Sequence, residues 1–562
     1  PWKPLFLCLA WVGALFACAF AWLPVTIPLG HTIIEDMFYY LQGAANLVEG
    51  KPASLDGIHP TNGFHPLWML ICTAIVRAFG TESERAIQVA LFCASLCFVA
   101  TAWVLFRALR KSPAPSVALP FAAYFLFNYR MMSVPLGGLE TGLAGLSVAL
   151  ITAFLLQRES LKSLTDSLLL GVLLGFAFNA RMDSLLLGGV VWFYLTARGW
   201  SAYREESGLP RALKSLFLPS MAGAVALLML IPWFLFSWRT SGTLLPNSRV
   251  AIKIWSGGAW DPTSGLLSNL EAFLANRASR LIEPINDLGN MFGYWPIAAP
   301  SVSPLRYVGV LLFGVSILVF LALLWKARRD PVLRVLWWIP LYTLSHAVYY
   351  ILFGRVGIRY LYPAMLPFLV FVAWVVAGLA ARSRDPGRAC QRVAGCFVFL
   401  IMGAMLAGGD AFRRGYASDR WHPLHSALYE EIAPWIEDNT PQDAVVGGFN
   451  SGILSYRCGR PVVNLDGVMN DSVIPALKEK RLCRYIDEQG VRYLADLESE
   501  IEKFMNGFCG DPNWKDRWWR VHEREEGYGG GVGTKRLVVL ERLPESPGSP
   551  SGPIRGVTAN GE

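Results

Sequence analysis

The sequence predicts a polytopic α-helical membrane protein with a soluble α/β domain at its C-terminal end. Three observations carry this. Of 562 residues, 54% are hydrophobic and 16% charged, with a mean hydropathy of +0.38, whereas soluble domains carry roughly 25% charged residues. Apolar stretches of near-spanning length recur as far as residue 408 and then stop. The Lys and Arg residues behind the +8 net charge sit in short clusters between those stretches, which is a topology signal rather than a nucleic-acid face. The 21 Trp, 19 Tyr and 32 Phe suit a chain that crosses water–hydrocarbon boundaries many times.

Apolar runs lie near 5–27, 86–106, 115–128, 141–157, 167–179, 184–197, 216–237, 307–325, 335–353, 360–380 and 393–408, which predicts about eleven transmembrane helices. The first, following Lys3, is read as a retained helix, because no small-residue cleavage site is followed by a soluble domain. The 63–79 stretch is read as a helix lying along the membrane. With Lys3 inside and 63–79 not spanning, the clusters Arg107/Arg110/Lys111, Arg158/Lys162, Arg198/Arg204/Arg211/Lys214, Lys326/Arg328/Arg329/Arg334 and Arg382/Arg384/Arg388/Arg392 all fall on the cytoplasmic side. The long segments 28–85, 238–306 and everything after 409 then lie outside.

Three regions follow: a membrane part over 1–409, an extracytoplasmic α/β domain over 410–543 and a disordered tail over 544–562. In the second, strand-like segments (444–449, 461–465, 491–495, 536–541) alternate with helix-like ones (424–437, 471–480). The tail is rich in Pro, Gly and Ser. Of the ten cysteines, Cys8, Cys18, Cys72, Cys93 and Cys97 lie in or beside apolar runs and read as packing residues. Cys458, Cys483 and Cys509 could form one disulfide in an oxidising compartment and leave one thiol over; the pairing stays open.

The polar residues that invite chemistry gather at helix ends on the predicted outer face. Glu35 and Asp36 follow the first helix and precede the aromatic run Phe38-Tyr39-Tyr40. A carboxylate beside the membrane is costly to keep there, which argues for a role, although acids also favour a helix's first turn. His59, Asn62 and His65 lie in the same outer loop. Glu140 stands in PLGGLETG, Arg181 and Asp183 join the fifth span to the sixth, and Asn247, Arg249 and Lys253 stand in PNSRVAIK. Arg355, Arg359 and Tyr360 stand in FGRVGIRYLYP. Each has a bland reading, such as an Arg181–Asp183 turn bridge or an Arg359 headgroup anchor; their coincidence on one face favours a site. Cations could hold a lipid phosphate and stabilise it as it leaves, while a carboxylate such as Asp36 deprotonates an acceptor hydroxyl.

On these features the chain resembles the GT-C superfamily of polyprenyl-phosphate-dependent membrane glycosyltransferases. An acidic pair after the first helix, an outer loop with a juxtamembrane helix (HPTNGFHPLW), many further spans and an extracytoplasmic C-terminal domain carry the resemblance. Within the group it looks most like relatives of the mycobacterial terminal arabinofuranosyltransferase, through GGLETGL at 137–143, Arg181 with an acid two residues on, PNSRVAIK at 246–253, the Gly-Arg-Tyr region near 357–360 and NLDGVMND at 464–471. The resemblance implies a polyprenyl-phosphate sugar donor, a glycan, protein or lipid acceptor, and a site outside the cytoplasm of an integral, bacterial inner-membrane protein. Asp36 is the implied base, and Glu35 would orient it or bind sugar hydroxyls; many members carry a second Asp where this chain has Glu35. Asp466 and Asn470 of the tail motif are weaker binding candidates, since a strand-to-helix turn with an Asn cap explains them equally well. Some members use a divalent cation, but the sequence offers no clear ligand set for one. A secondary transporter and a non-catalytic membrane scaffold are the rival readings; polar groups at one face, with His346 the exception inside a span, favour the transferase.

Overall fold

The computed structural model describes residues 2–81, 84–158, 161–202, 209–255, 335–353, 358–413, 422–527 and 534–544. Its helices begin with α1 (Lys3–Phe20), α2 (Asp36–Val48), α3 (Pro66–Phe79), α4 (Arg85–Leu109), α5 (Ala118–Phe127) and α6 (Thr141–Gln157). They continue through α7 (Leu164–Ala180), α8 (Leu185–Ala202), α9 (Leu209–Leu228), α10 (Ile231–Ser241) and α11 (Ser248–Trp255) to α12 (Trp338–Phe353), α13 (Ile358–Ala381) and α14 (Pro386–Arg413).

Four of the described helices are long and apolar enough to cross a membrane: α1, α4, α13 and the Pro386–Met405 part of α14. Two bent pairs raise the count to six if each is one span: Tyr129–Gly137 with α6, bent by 117°, and Ala212–Leu228 with α10, bent by 43°. Exposed Leu5, Trp11, Leu15 and Phe16 on α1, and Phe399 and Met402 on α14, form apolar surface of the kind a bilayer covers. The chain is thus an integral membrane protein. The expected count of about eleven is not reached among the described residues. The 307–325 run and Arg355 lie outside them, and the 115–128 run yields α5, whose 10 residues reach only about 15 Å of a ~30 Å hydrocarbon layer. The 63–79 stretch forms α3, of 14 residues, also short of a full span.

The membrane helices share one core, in which Phe98, Phe125, Phe154, Tyr194, Trp338, Tyr362 and Phe371 are buried. The sharp bend before α6 depends on Gly138, at φ +78°, a left-handed conformation that glycine adopts without Cβ strain. A Cβ there would also run into the Met37 side chain of α2, and the Gly138 carbonyl accepts from Trp68 Nε1 of α3 at 3.1 Å. The GGLETG turn is therefore the point at which α2 and α3 lock onto the bundle.

The C-terminal region folds around a five-stranded sheet of order β2-β1-β3-β5-β4: β1 (Val445–Gly448), β2 (Val462–Asn464), β3 (Val491–Leu497), β4 (Trp518–Gly527) and β5 (Thr534–Arg542). β1 runs parallel to β2 and β3, while β5 is antiparallel to β3 and β4, with Leu494 opposite Leu540 and Trp519 opposite Glu541. Helices α15 (Gly452–Arg457), α16 (Leu482–Glu488) and α17 (Glu498–Phe508) connect or flank the strands. β1 and β3 are buried along most of their length, Arg492 being the exposed position of β3, as central strands under helices are. Cys483 pairs with Cys509 in a disulfide, and Cys458, the third cysteine of this region, is a buried free thiol.

The sheet region does not hang on a linker alone. One core contains Met37, Phe38 and Leu41 of α2 and Trp68 of α3 together with Leu428, Val446, Ile453, Leu454 and Val539 of the C-terminal region. Close approach at the seam is tightest at Gly63, where a Cβ would collide with the Val468 carbonyl.

Candidate functional site

Consecutive residues on a helix point about 100° apart, and at the start of α2 this sends Glu35 and Asp36 to different neighbours. Asp36 Oδ2 accepts from Arg359 Nη1 at 2.6 Å. Both groups remain partly accessible, with side chains 36% and 23% exposed. Arg359 Nη2 also donates to the Tyr360 hydroxyl at 2.7 Å, and its guanidinium lies 4.8 Å from the Tyr360 ring centroid. Asp36, at the start of α2, thus meets a cation more than three hundred residues away at the head of α13.

Glu35 is buried and turned to the sheet region. Its Oε1 accepts from the Gly452 N–H at 3.0 Å, and its Oε2 lies 4.0 Å from His425 Nε2. Burial first, then the nearby charges of Asp496, Asp36 and Asp466, hold its carboxyl well above the usual carboxylate range. Through the Gly452 N–H the Glu35 carboxyl joins the start of α2 to the first turn of α15.

Next to Tyr360 lies a second polar cluster with little exposure. Arg181 Nη1 donates to Glu140 Oε1 at 2.9 Å, and Nε and Nη2 fork onto Asp183 at 3.2 and 2.9 Å. Nη2 also reaches the Tyr350 hydroxyl at 3.1 Å, and that hydroxyl donates to Asp183. Glu140 Oε2 accepts from the Tyr40 hydroxyl at 3.0 Å, Tyr40 accepts from the His65 N–H at 3.1 Å, and His65 Nε2 lies 3.8 Å from Glu140. His346 Nε2 donates to the Tyr360 carbonyl at 2.8 Å. The Tyr360 ring stacks on Tyr350 at 5.1 Å and lies 5.3 Å from the Arg181 guanidinium. Arg181 is thereby matched by two carboxylates and a phenol, and its side chain is 3% exposed. The turn bridge with Asp183 exists, and it is one edge of a larger network.

The remaining expected residues lie along the seam. Asn62 is buried and spends its amide on α10 and the loop after it: Nδ2 donates to Ser237 Oγ at 2.7 Å and to the Leu245 carbonyl at 3.1 Å, while Oδ1 accepts from the Asn247 N–H at 2.7 Å. His59 Nδ1 pairs with Asp56 at 2.5 Å, and that hydrogen bond raises the imidazole's pKa. Asn470 caps the turn after β2 by accepting from the Ser472 N–H at 3.0 Å and donates to the Tyr485 hydroxyl at 2.9 Å, which is the structural alternative expected for it. Asp466 is buried, accepts from the Val468 N–H at 2.8 Å, and is pushed up to about 7, mostly by burial, with the Asp36 and Asp496 charges adding. Arg249 and Lys253 stand on exposed positions of α11.

Tyr40, Tyr350 and Asp471 were not singled out from the sequence. Tyr40 belongs to the aromatic run after the acidic pair and Asp471 closes the NLDGVMND motif, but Tyr350 carries no local signal that separates it from its neighbours. Among the described residues no group of three or more His, Cys, Asp or Glu side chains converges into a metal-binding set.

Residues 418–537 match a family model described as a domain of unknown function, DUF8728. Among curated proteins none matches the chain in sequence. Solved structures do match over nearly the whole chain. ArnT from Cupriavidus metallidurans bound to undecaprenyl phosphate superposes with a TM-score of 0.54 at 14% identity, covering 97% of this chain and 98% of that one. The Archaeoglobus fulgidus oligosaccharyltransferase in its apo form gives 0.56 at 12% identity over 92% and 73%. The oligosaccharyltransferase AglB from the same archaeon, in complex with an inhibitory peptide and a dolichol-phosphate, gives 0.53 at 12% identity over 93% and 73%. Transmembrane helices, a docked C-terminal sheet and these likenesses together give the chain the GT-C membrane fold.

Proposed function

We propose that the protein is a glycosyltransferase that moves a sugar from a polyprenyl phosphate to an acceptor hydroxyl outside the cytoplasm, with Asp36 as the base. One observation carries this reading: Asp36 and Arg359, partly accessible and hydrogen-bonded to each other, meet on a fold shared with a structure bound to undecaprenyl phosphate. In the reaction the acceptor oxygen attacks the anomeric carbon, the bond from that carbon to the phosphate oxygen breaks, and the polyprenyl phosphate leaves with the bonding pair. The acceptor proton goes to Asp36. The donor's phosphate competes for the Arg359 guanidinium, and a guanidinium that turns to phosphate releases Asp36 to act as base.

Arg249 and Lys253 are the other accessible cations of this reading and supply charge to the departing phosphate. Arg181 holds the floor of the site through Glu140, Asp183 and Tyr350 and is a positioning residue. Asp466 would hydrogen-bond sugar or acceptor hydroxyls near Asp36. His59, Asn62 and Asn470 act by shaping the seam. The reading includes an inner-membrane location with the site on the periplasmic side, a membrane part over 1–409 roofed by a domain over 410–543, and, within GT-C enzymes, a kinship with the arabinofuranosyltransferase relatives that rests on GGLETGL, PNSRVAIK and NLDGVMND.

The test is Asp36→Asn in full-length protein. Transfer should fall by about 10²- to 10⁴-fold, the range for loss of a general base, while undecaprenyl phosphate still binds. Undiminished transfer would remove Asp36 from the mechanism.

A further inference from the structure

The structure assigns a positioning role to Asp471: it clasps helix α11 to the sheet domain, so that Arg249 and Lys253 are held ready for the donor's lipid phosphate. This rests on the phosphate-binding part assigned above to those two cations.

The Asp471 carboxylate takes hydrogen bonds from three membrane-side donors. Oδ1 accepts from Thr61 Oγ1 at 2.9 Å. Oδ2 accepts from Ser241 Oγ at the end of α10 and from Asn247 Nδ2, just before α11, at 3.1 Å. One side chain of the C-terminal region therefore ties the first outer loop and both ends of the α10–α11 connection. Hydrogen bonds to a carboxylate acceptor are shorter and stronger than those between neutral groups.

The far end of α11 is held by the same domain. Ala251, Ile254 and Trp255 fall on one helical face at i, i+3 and i+4. Ile254 and Trp255 pack against the core that contains Phe449, Leu465 and Phe504, and the Trp255 ring meets Phe504 edge-on at 6.0 Å. A Cβ on Gly467, four residues before Asp471, would lie 3.0 Å from Ala251 Cβ. Arg249 and Lys253 occupy the opposite, exposed face, four residues apart. Asp466, which feels the charge of Asp36, adjoins Gly467, the residue that packs on Ala251 of the clasped helix. The tail motif thus links a domain of the roof to a cationic helix at the site.

Two readouts on the full chain in nanodiscs test this: equilibrium binding of undecaprenyl phosphate and amide hydrogen exchange over 243–255. Asp471→Ala should speed exchange there and weaken binding about tenfold, because apparent affinity falls with the fraction of molecules whose helix is in place. Asn247→Ala cuts the link from the other side without touching the sheet domain and should act in the same direction. Arg249→Gln/Lys253→Gln should weaken binding without speeding exchange, and adding Asp471→Ala to it should cost little more. Unchanged exchange in both Asp471→Ala and Asn247→Ala overturns the clasp. Faster exchange with unchanged binding, where Arg249→Gln/Lys253→Gln does weaken it, overturns the positioning role. If Arg249→Gln/Lys253→Gln leaves binding unchanged, the phosphate reading of α11 fails, and with it the role assigned to Asp471, while the Asp36 mechanism stands.

Discussion

Replacing Arg181 by Met should be among the most destabilising single changes in the chain. The guanidinium donates to Glu140, to both oxygens of Asp183 and to the Tyr350 hydroxyl, and its side chain is 3% exposed, beside 6% for Glu140. Solvent cannot replace it, so two carboxylates are left in low-dielectric surroundings without a cation. Breaking a buried pair in this way costs about 3–5 kcal/mol, against about 0–1 kcal/mol for an exposed pair. The stranded acids, more than the lost attraction, set the size of the effect. Arg181→Met/Glu140→Gln/Asp183→Asn should therefore be more stable than Arg181→Met alone, although it lacks every ionic contact of the cluster. The assay is an SDS titration in mixed micelles followed by tryptophan fluorescence. A loss in Arg181→Met below about 1 kcal/mol, or a triple variant less stable than the single one, would refute the reasoning.

Other outcomes follow from the seam. Glu35→Gln keeps an acceptor for the Gly452 N–H and mimics a protonated acid, so stability and transfer should stay near wild type. Glu35→Ala strands that buried N–H and should cost about 1–3 kcal/mol; loss of transfer in a stable Glu35→Gln would instead make Glu35 a catalytic group. Asp466, pushed up to about 7 from an ordinary value near 4, binds its proton more tightly folded than unfolded. Its contribution to stability is full below about pH 4 and is lost as pH rises toward 7. Melting curves from pH 4 to 8 should show that loss, and Asp466→Asn should flatten it; identical pH slopes in the two proteins would contradict the assignment. Reduction of Cys483–Cys509, separated by 26 residues, should destabilise the sheet region by about 3.5 kcal/mol on loop-closure grounds, which chemical unfolding with and without reductant would measure.

Much of the architecture was legible in the sequence, because bilayer residence and strand burial are written into local composition. The strands expected at 444–449, 461–465, 491–495 and 536–541 appear at Val445–Gly448, Val462–Asn464, Val491–Leu497 and Thr534–Arg542. Each is a short run rich in β-branched or aliphatic residues next to turn formers. β4 went unforeseen: Trp-Trp-Arg-Val-His-Glu-Arg-Glu-Glu-Gly is too charged to read as a strand, and it is the edge strand of the sheet, where charge is tolerated. The span count also fell short among the described residues: the 307–325 run lies outside them, and hydropathy reports an apolar run without reporting whether its helix is straight or long enough.

The sequence by itself determined that this chain lives in a membrane, that polar residues crowd the ends of its apolar segments, and that its C-terminal region alternates helix and strand. Tertiary structure alone decided how those residues pair. Asp36 goes to Arg359 rather than to a neighbour, Arg181 reaches Glu140 as well as Asp183, Glu35 turns to Gly452, and Asp471 gathers Thr61, Ser241 and Asn247. Composition and periodicity act over a few turns of chain, whereas these partners meet only after helices far apart in sequence have packed. A carboxylate's chemistry is set by the cation or N–H that ends up beside it.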